Sequence, residues 1–303
     1  MTEKVTNKKA IIGILVSMLV LLVLTMMMEP KLQAVWQEEQ LAAVATAIKQ
    51  EVAKLPSLSP VDIEAKSAVV YEVNTGKLLY AKSADVQLPL ASVTKLITTL
   101  VARSEIGANS KVIISEKALS TNGESGLIVG DVWIESDLSD FMLTVSSNDA
   151  ASALALAVTS QRQFVSKMNQ FVSNLDLESI VILNESGLDI NNNKAGAYGS
   201  ARDIASLLAY ISINSPELLE ATTIEKFMST STSGQYYKAV NTNKIVNTIP
   251  GIIGGKTGYT DLAGGNLAVV FDVGVGHYIV VVVLGSSKEG RFTDVLKLVE
   301  QLI

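Results

Sequence analysis

The chain has 303 residues, enough for one large domain or two modest ones, and 48% of them are hydrophobic, ample for a packed core. A net charge of −6, without a dense Lys/Arg cluster, argues against a nucleic-acid partner. There is no cysteine and a single histidine, His277, which removes disulfides, a thiolate nucleophile and a histidine-rich zinc site.

Residues 1–10 carry Lys4, Lys8 and Lys9 and read as a cytoplasmic tail. Residues 11–28 form an apolar run softened only by Gly13, Ser17 and Thr25, about long enough to span a bilayer as a helix. The lysines before it place the N-terminus inside and everything after Met28 outside. No small-x-small site follows, so the segment reads as an uncleaved anchor rather than a signal peptide. The expectation is a single-pass protein of the cell membrane with its globular part extracytoplasmic.

Residues 29–62 read as stalk and linker: helical spacing of Leu32, Trp36, Leu41, Val44, Ile48 and Val52, broken by Leu55-Pro-Ser-Leu-Ser-Pro60. The globular domain is placed at 63–303. It opens on a hairpin, residues 68–73 and 78–80 around Asn74-Thr-Gly76.

Next comes Ala91-Ser-Val-Thr-Lys95, running into the helical pattern of residues 96–101. Residues three apart on a helix share a face, so the Ser92 hydroxyl and the Lys95 amine would meet. A neutral lysine can take the serine proton, and a helix N-terminus favours developing negative charge. The bland alternative is a capping serine beside a solvated lysine.

The middle is predicted to be mostly helical, over residues 138–144, 150–158, 164–175 and 201–213. Ser200-Ala-Arg-Asp203 resembles a capping box for the last. Ser146-Ser-Asn148 lies between two of these helices, as a polar pair for chemistry or as an N-cap at Asn148. Gly254-Gly-Lys-Thr-Gly-Tyr259 suits either a strand edge that a substrate backbone approaches closely or a plain glycine-rich turn. A phosphate-binding P-loop is excluded, because Pro250 stands where its first glycine belongs and the segment precedes a strand. Strands follow at 267–273 and 278–284, then a helix at 292–303. His277, between Gly276 and Tyr278, reads as a turn or strand-edge residue. Strands at both ends with helices between predict an α+β domain whose antiparallel sheet is assembled from both chain ends.

Ser-x-x-Lys, Ser-x-Asn and Lys-Thr-Gly in this order are the motifs of penicillin-recognising serine enzymes. With Asn74-Thr-Gly76, Ser186-Gly-Leu-Asp189, Ser200-Ala-Arg-Asp203 and Gly255-Lys-Thr-Gly-Tyr-Thr-Asp261, the chain from about Ala65 onward resembles the low-molecular-mass D-alanyl-D-alanine carboxypeptidases, serine peptidase family S11. The resemblance implies a β-lactamase/transpeptidase-like fold. It implies Ser92 as nucleophile, Lys95 as general base and Ser146 as proton carrier to the leaving D-alanine. Asn148 would bond the substrate amide, and Lys256 would supply positive potential that helps keep Lys95 neutral by repulsion. Thr257, Gly258, Tyr259 and Thr260 would line the substrate strand, with the backbone N–H groups of Ser92 and Tyr259 as oxyanion hole. Arg291 would meet the substrate's terminal carboxylate, the alternative being a surface charge at a helix start.

The implied substrate is a peptidoglycan stem peptide, with β-lactams as covalent inhibitors and no cofactor or metal. Ser147 departs from the family's usual glycine. A class A β-lactamase needs a further glutamate in a Glu-x-x-Leu-Asn segment, which the sequence lacks. A D,D-endopeptidase using the same site, and a non-catalytic peptidoglycan-binding protein, remain as alternatives.

Overall fold

The computed structural model describes residue 39 and residues 58–120, 125–274 and 276–302. The expected tail, the anchor at 11–28 and nearly all of the stalk lie outside the described residues. Among the described residues no helix is long and apolar enough to cross a membrane. Residues Pro56–Ile303 make one compact unit.

Its spine is a five-stranded antiparallel sheet. The strands are β1 (Ser67–Glu72), β2 (Lys77–Lys82), β10 (Ile252–Thr260), β11 (Gly264–Asp272) and β12 (Tyr278–Ser286), in the order β10-β11-β12-β1-β2. The two chain ends meet at β1 and β12, where Val69 faces Val282 and Val70 faces Val281. β-Branched residues fit a pleated surface packed on both sides, and the Ile279–Leu284 run of β12 is wholly buried. The expected hairpin is present as β1 and β2, and the expected late strands as β11 and β12.

Between them lie α1 (Lys95–Ile106), α2 (Glu135–Val145), α3 (Asn148–Val158), α4 (Gln161–Asn174) and α5 (Ala201–Asn214); α6 (Gly290–Val299) closes the unit. α3 buries Ala150, Ala151, Ala153, Leu154 and Ala155. A helix apolar on nearly every side belongs at the centre of a helical layer, and its alanines let α1 and α2 approach closely. α6 ends three residues before Leu302. It is anchored at Asp294, whose buried carboxylate accepts from Glu64 N (3.0 Å), Ala65 N (2.8 Å) and Ser286 Oγ (2.6 Å). The start of the domain is thereby fastened to its last helix.

The middle is mostly helical, as expected, but it also holds short strands that were not anticipated: a ribbon of β4 (Lys111–Ile113) with β5 (Val132–Ile134) and a hairpin of β8 (Lys226–Thr230) with β9 (Tyr236–Val240), besides the short β3 (Leu88–Pro89), β6 (Val181–Ile182) and β7 (Ala197–Gly199). Too few residues in each carry a period to be read alone. Their cohesion is tertiary: Asp131 accepts from Trp133 Nε1 (3.1 Å), Tyr237 Oη (2.7 Å) and Ser231 Oγ (2.7 Å), cross-linking ribbon and hairpin. The capping box before α5 is only half made. Ser200 Oγ accepts from Asp203 N at 3.1 Å, but the Asp203 carboxylate turns to Ser179, accepting from its N (2.8 Å) and Oγ (2.6 Å).

Candidate active site

Ser92 lies in a 3-10 turn, Ala91–Thr94, that leads directly into α1. The turn is tight: Ala91 has φ of 48°, in the left-handed region that costs an L-residue energy. Thr94 Oγ1 donates to Ala91 O at 2.7 Å and holds it. No side chain caps this turn, so the capping alternative for Ser92 is overturned. Lys95, whose solvated alternative is overturned too, is fully buried at 0% exposure.

Lys95 Nζ has three partners: Ser92 Oγ at 2.8 Å, Asn148 Oδ1 at 2.7 Å and Ser186 O at 2.8 Å. An amide oxygen and a carbonyl oxygen only accept, whereas a hydroxyl also donates. Once Lys95 is neutral it has two hydrogens for the two pure acceptors and one lone pair, which therefore faces the Ser92 hydroxyl. Burial lowers the Lys95 pKa from 10.5 to about 7, against the opposing charge of Glu185. The amine is thus available as a base near neutral pH.

The second motif approaches from a helix junction. Ser146 ends α2 with φ of 64°, a left-handed C-cap that turns the chain between α2 and α3. Ser147 caps α3, its Oγ accepting from Ala150 N at 3.0 Å. The N-cap expected at Asn148 thus falls one residue earlier, and Asn148, first residue of α3, turns its side chain to Lys95. Ser147 Oγ also bonds Ser125 Oγ at 2.7 Å, a contact that glycine could not make.

The third motif is a strand, not a turn. β10 is an edge strand of the sheet, covered at Gly255 by Thr222, and past that point a peptide backbone can be added as another strand. Gly258 lets it lie against the nucleophile turn: a Cβ there would stand 2.9 Å from Leu90 O and 3.2 Å from Ser92 N. Lys256 is buried, and its Nζ donates to Ser146 Oγ at 2.9 Å and Thr257 O at 3.0 Å. Burial and the repulsion of Lys95 and Arg291 push its pKa well down. The repulsion expected to keep Lys95 neutral acts on Lys256 instead, and at Lys95 burial does the lowering. Thr257 Oγ1 shares a 2.7 Å hydrogen bond with Thr242 Oγ1, and Thr260 Oγ1 donates to Asp189 Oδ1 at 2.9 Å. Tyr259 is exposed, with Lys288 Nζ 5.1 Å from its ring centre.

Arg291 is no surface charge: it is buried, and Nη1 donates to Gly258 O at 2.6 Å. Its Nε is buried without a hydrogen-bond partner among the described residues. His277 stays in the β11–β12 turn, its Nε2 3.3 Å from Glu72 Oε1, and it touches none of these groups.

Some supporting residues were not singled out from the sequence. Asn266 donates to Pro89 O (2.9 Å) and Leu90 O (3.0 Å), tying the nucleophile turn to β11. A lone asparagine inside an apolar strand was the available signal. Thr242 acts from a loop and leaves no sequence pattern, and Ser186, though inside the quoted Ser186-Gly-Leu-Asp189 motif, acts through its backbone carbonyl, a role the motif did not announce.

A model of the D-alanyl-D-alanine carboxypeptidase family matches residues 52–288. The chain is 33% identical to the D-alanyl-D-alanine carboxypeptidase DacF of Bacillus subtilis over 78% of its own length and 61% of that protein's. It is 31% identical to the D-alanyl-D-alanine carboxypeptidase DacB2 of Mycobacterium tuberculosis, over 76% of its own length and 78% of that protein's. The ampicillin-bound penicillin-binding protein D2 of Listeria monocytogenes superposes with a TM-score of 0.68 at 28% identity, covering 80% of this chain and 99% of that one. With the first two motifs meeting at Lys95 and the third reaching the second through Lys256 and Ser146, the chain belongs to the S11 D-alanyl-D-alanine carboxypeptidase family.

Proposed function

We propose that the protein is a serine D,D-carboxypeptidase that removes the terminal D-alanine from peptidoglycan stem pentapeptides and is acylated by β-lactams at the same serine. The observation that carries this reading is the buried Lys95 amine, whose only partner able to give it a proton, among the described residues, is Ser92. The names of the relatives and the ampicillin-bound structure support it.

In this mechanism the substrate lies along β10. Ser92 Oγ attacks the penultimate D-alanyl carbonyl carbon while its proton passes to Lys95 Nζ. The tetrahedral oxyanion collapses, the C–N bond breaks, and the leaving amine takes a proton delivered through Ser146. Water then attacks the acyl-enzyme ester, which restores the Ser92 hydroxyl and releases the shortened peptide. Lys256 positions the Ser146 hydroxyl. Arg291 fixes the Gly258 carbonyl and with it the backbone of β10, and the remaining Nη hydrogens of its guanidinium are the donors for the substrate's terminal carboxylate.

The membrane assignment belongs to the same proposal and rests on residues 11–28: a single-pass anchor holding the domain on the outer side of the cell membrane. Protease added to intact spheroplasts is expected to digest the domain, and full protection would reverse the orientation.

The deciding experiment gives the full-length protein a stem pentapeptide and a cross-linked peptide dimer. Free D-alanine from the pentapeptide is expected. Release of monomer from the dimer alone would make the enzyme an endopeptidase, and no product from either, with no penicillin label, would make it a binding protein.

A further inference from the structure

The polypeptide 185–189 is a wall with two faces. On one it serves the catalytic centre: Ser186 O accepts from Lys95, and the Asp189 carboxylate accepts from Thr260 Oγ1 at 2.9 Å and Leu262 N at 3.2 Å. On the other it bounds a cleft of about 490 Å³ whose opposite side is the first turn of α4. That volume suits a small-molecule moiety rather than a single water.

The lining has a definite chemistry. Glu185 is only 4% exposed. Gln161 Nε2 donates to its Oε1 at 3.0 Å, and no hydrogen bond among the described residues satisfies Oε2. The second oxygen of this carboxylate is thus free to accept from a donor that enters the cleft. Arg162 lines the same cleft and is exposed, without an ion pair or hydrogen bond among the described residues. Val165, Leu183 and Leu188 also line the cleft and give it apolar wall. A nearly buried negative charge, an exposed positive one and apolar wall in one cleft match an alkyl chain that ends in a zwitterion.

We propose that this cleft is a subsite for a zwitterionic amino-acid headgroup, its ammonium on Glu185 and its carboxylate on Arg162. The proposal rests on the carboxypeptidase reading, which supplies two sources of such a head. One is the side chain of the stem peptide's third residue, where that residue is a diamino-dicarboxylic acid. The other is the D-alanine released by the reaction.

The test uses the full-length protein, its R162A and E185Q variants, and stem pentapeptides that differ only at the third residue. One carries a side chain ending in ammonium and carboxylate, one in ammonium alone, one in an acetylated amine. The native protein is expected to prefer the zwitterionic peptide over the ammonium peptide by about fivefold, in KM rather than kcat, as for an exposed ion pair. R162A should erase that step, and E185Q should erase the step between ammonium and acetyl. Thermal unfolding confirms that each variant is folded. In a second arm, free D-alanine is titrated against hydrolysis of the acetylated peptide. Inhibition relieved by R162A would place the released amino acid in the cleft and support the subsite by its second source. Equal KM values for all three peptides in the native protein, together with D-alanine inhibition absent or indifferent to R162A, overturn the proposal. Penicillin acylation of the native protein is measured in parallel. Its absence would sink the carboxypeptidase reading, whereas normal acylation with equal KM values sinks only the subsite.

Discussion

Lys95 offers a quantitative test, because burial is the leading influence on both its activity and its energetic cost. Its pKa falls from 10.5 to about 7. At about 1.4 kcal/mol for each pH unit, that is on the order of 5 kcal/mol of preference for the neutral amine inside the protein. The acylation rate should follow the neutral fraction: near its plateau at pH 8, about tenfold lower at pH 6 and about a hundredfold lower at pH 5. Stopped-flow acylation by a fluorescent penicillin between pH 5 and 9 measures this directly. The same shift has a stability side with a fixed sign. The folded-state pKa is depressed, so the unfolded chain binds more protons and stability rises with pH between about 7 and 10.5. A K95M variant should therefore be more stable than the native protein at pH 6, by about 1–3 kcal/mol after its lost hydrogen bonds are counted, and the gain should shrink through pH 9. An acylation rate flat from pH 5 to 9, or a midpoint near 10, would refute the reasoning, as would a K95M gain that does not vary with pH.

Other perturbations act on single contacts. G258A puts a methyl against Leu90 O and Ser92 N, and acylation should fall about a hundredfold with little change in melting temperature; an unaltered rate would mean that β10 does not press on the nucleophile turn. S147A removes the α3 cap and the Ser125 bond, and chemical denaturation should report a loss of about 1 kcal/mol. D131N confronts its hydroxyl and indole donors with an amide, and should cost about 2–3 kcal/mol and loosen the β8–β9 hairpin in hydrogen exchange; equal protection in both proteins would discount the cross-link.

The sheet was legible where the sequence carried long β-branched runs, as in β11 and β12, and the helices where an apolar stripe persisted for three turns. β10 was half legible. Three glycines in nine residues mask strand propensity, and what makes it a strand is its pairing with β11, which no local pattern encodes. The catalytic groups were visible as motifs, but the motifs alone could not choose between chemistry and capping. Burial chose: Lys95 and Lys256 are both inside, and burial follows from the α1–α3 packing and the placement of β10 rather than from neighbours in sequence. Arg291 shows the same gap, since its position at a helix start looks exposed until the fold turns it toward Gly258. Glu185 and Arg162 share a cleft only because α4 packs beside the 185–189 segment.

The most direct measurement is intact-mass analysis of the full-length protein after benzylpenicillin, with the adduct mapped by peptide sequencing. A single penicilloyl group on Ser92, absent in S92A and scarce at pH 5 after short exposure, is the predicted result. An adduct on another residue, or none at saturating penicillin and pH 8, would contradict the assignment of Ser92 as a nucleophile activated by a neutral Lys95.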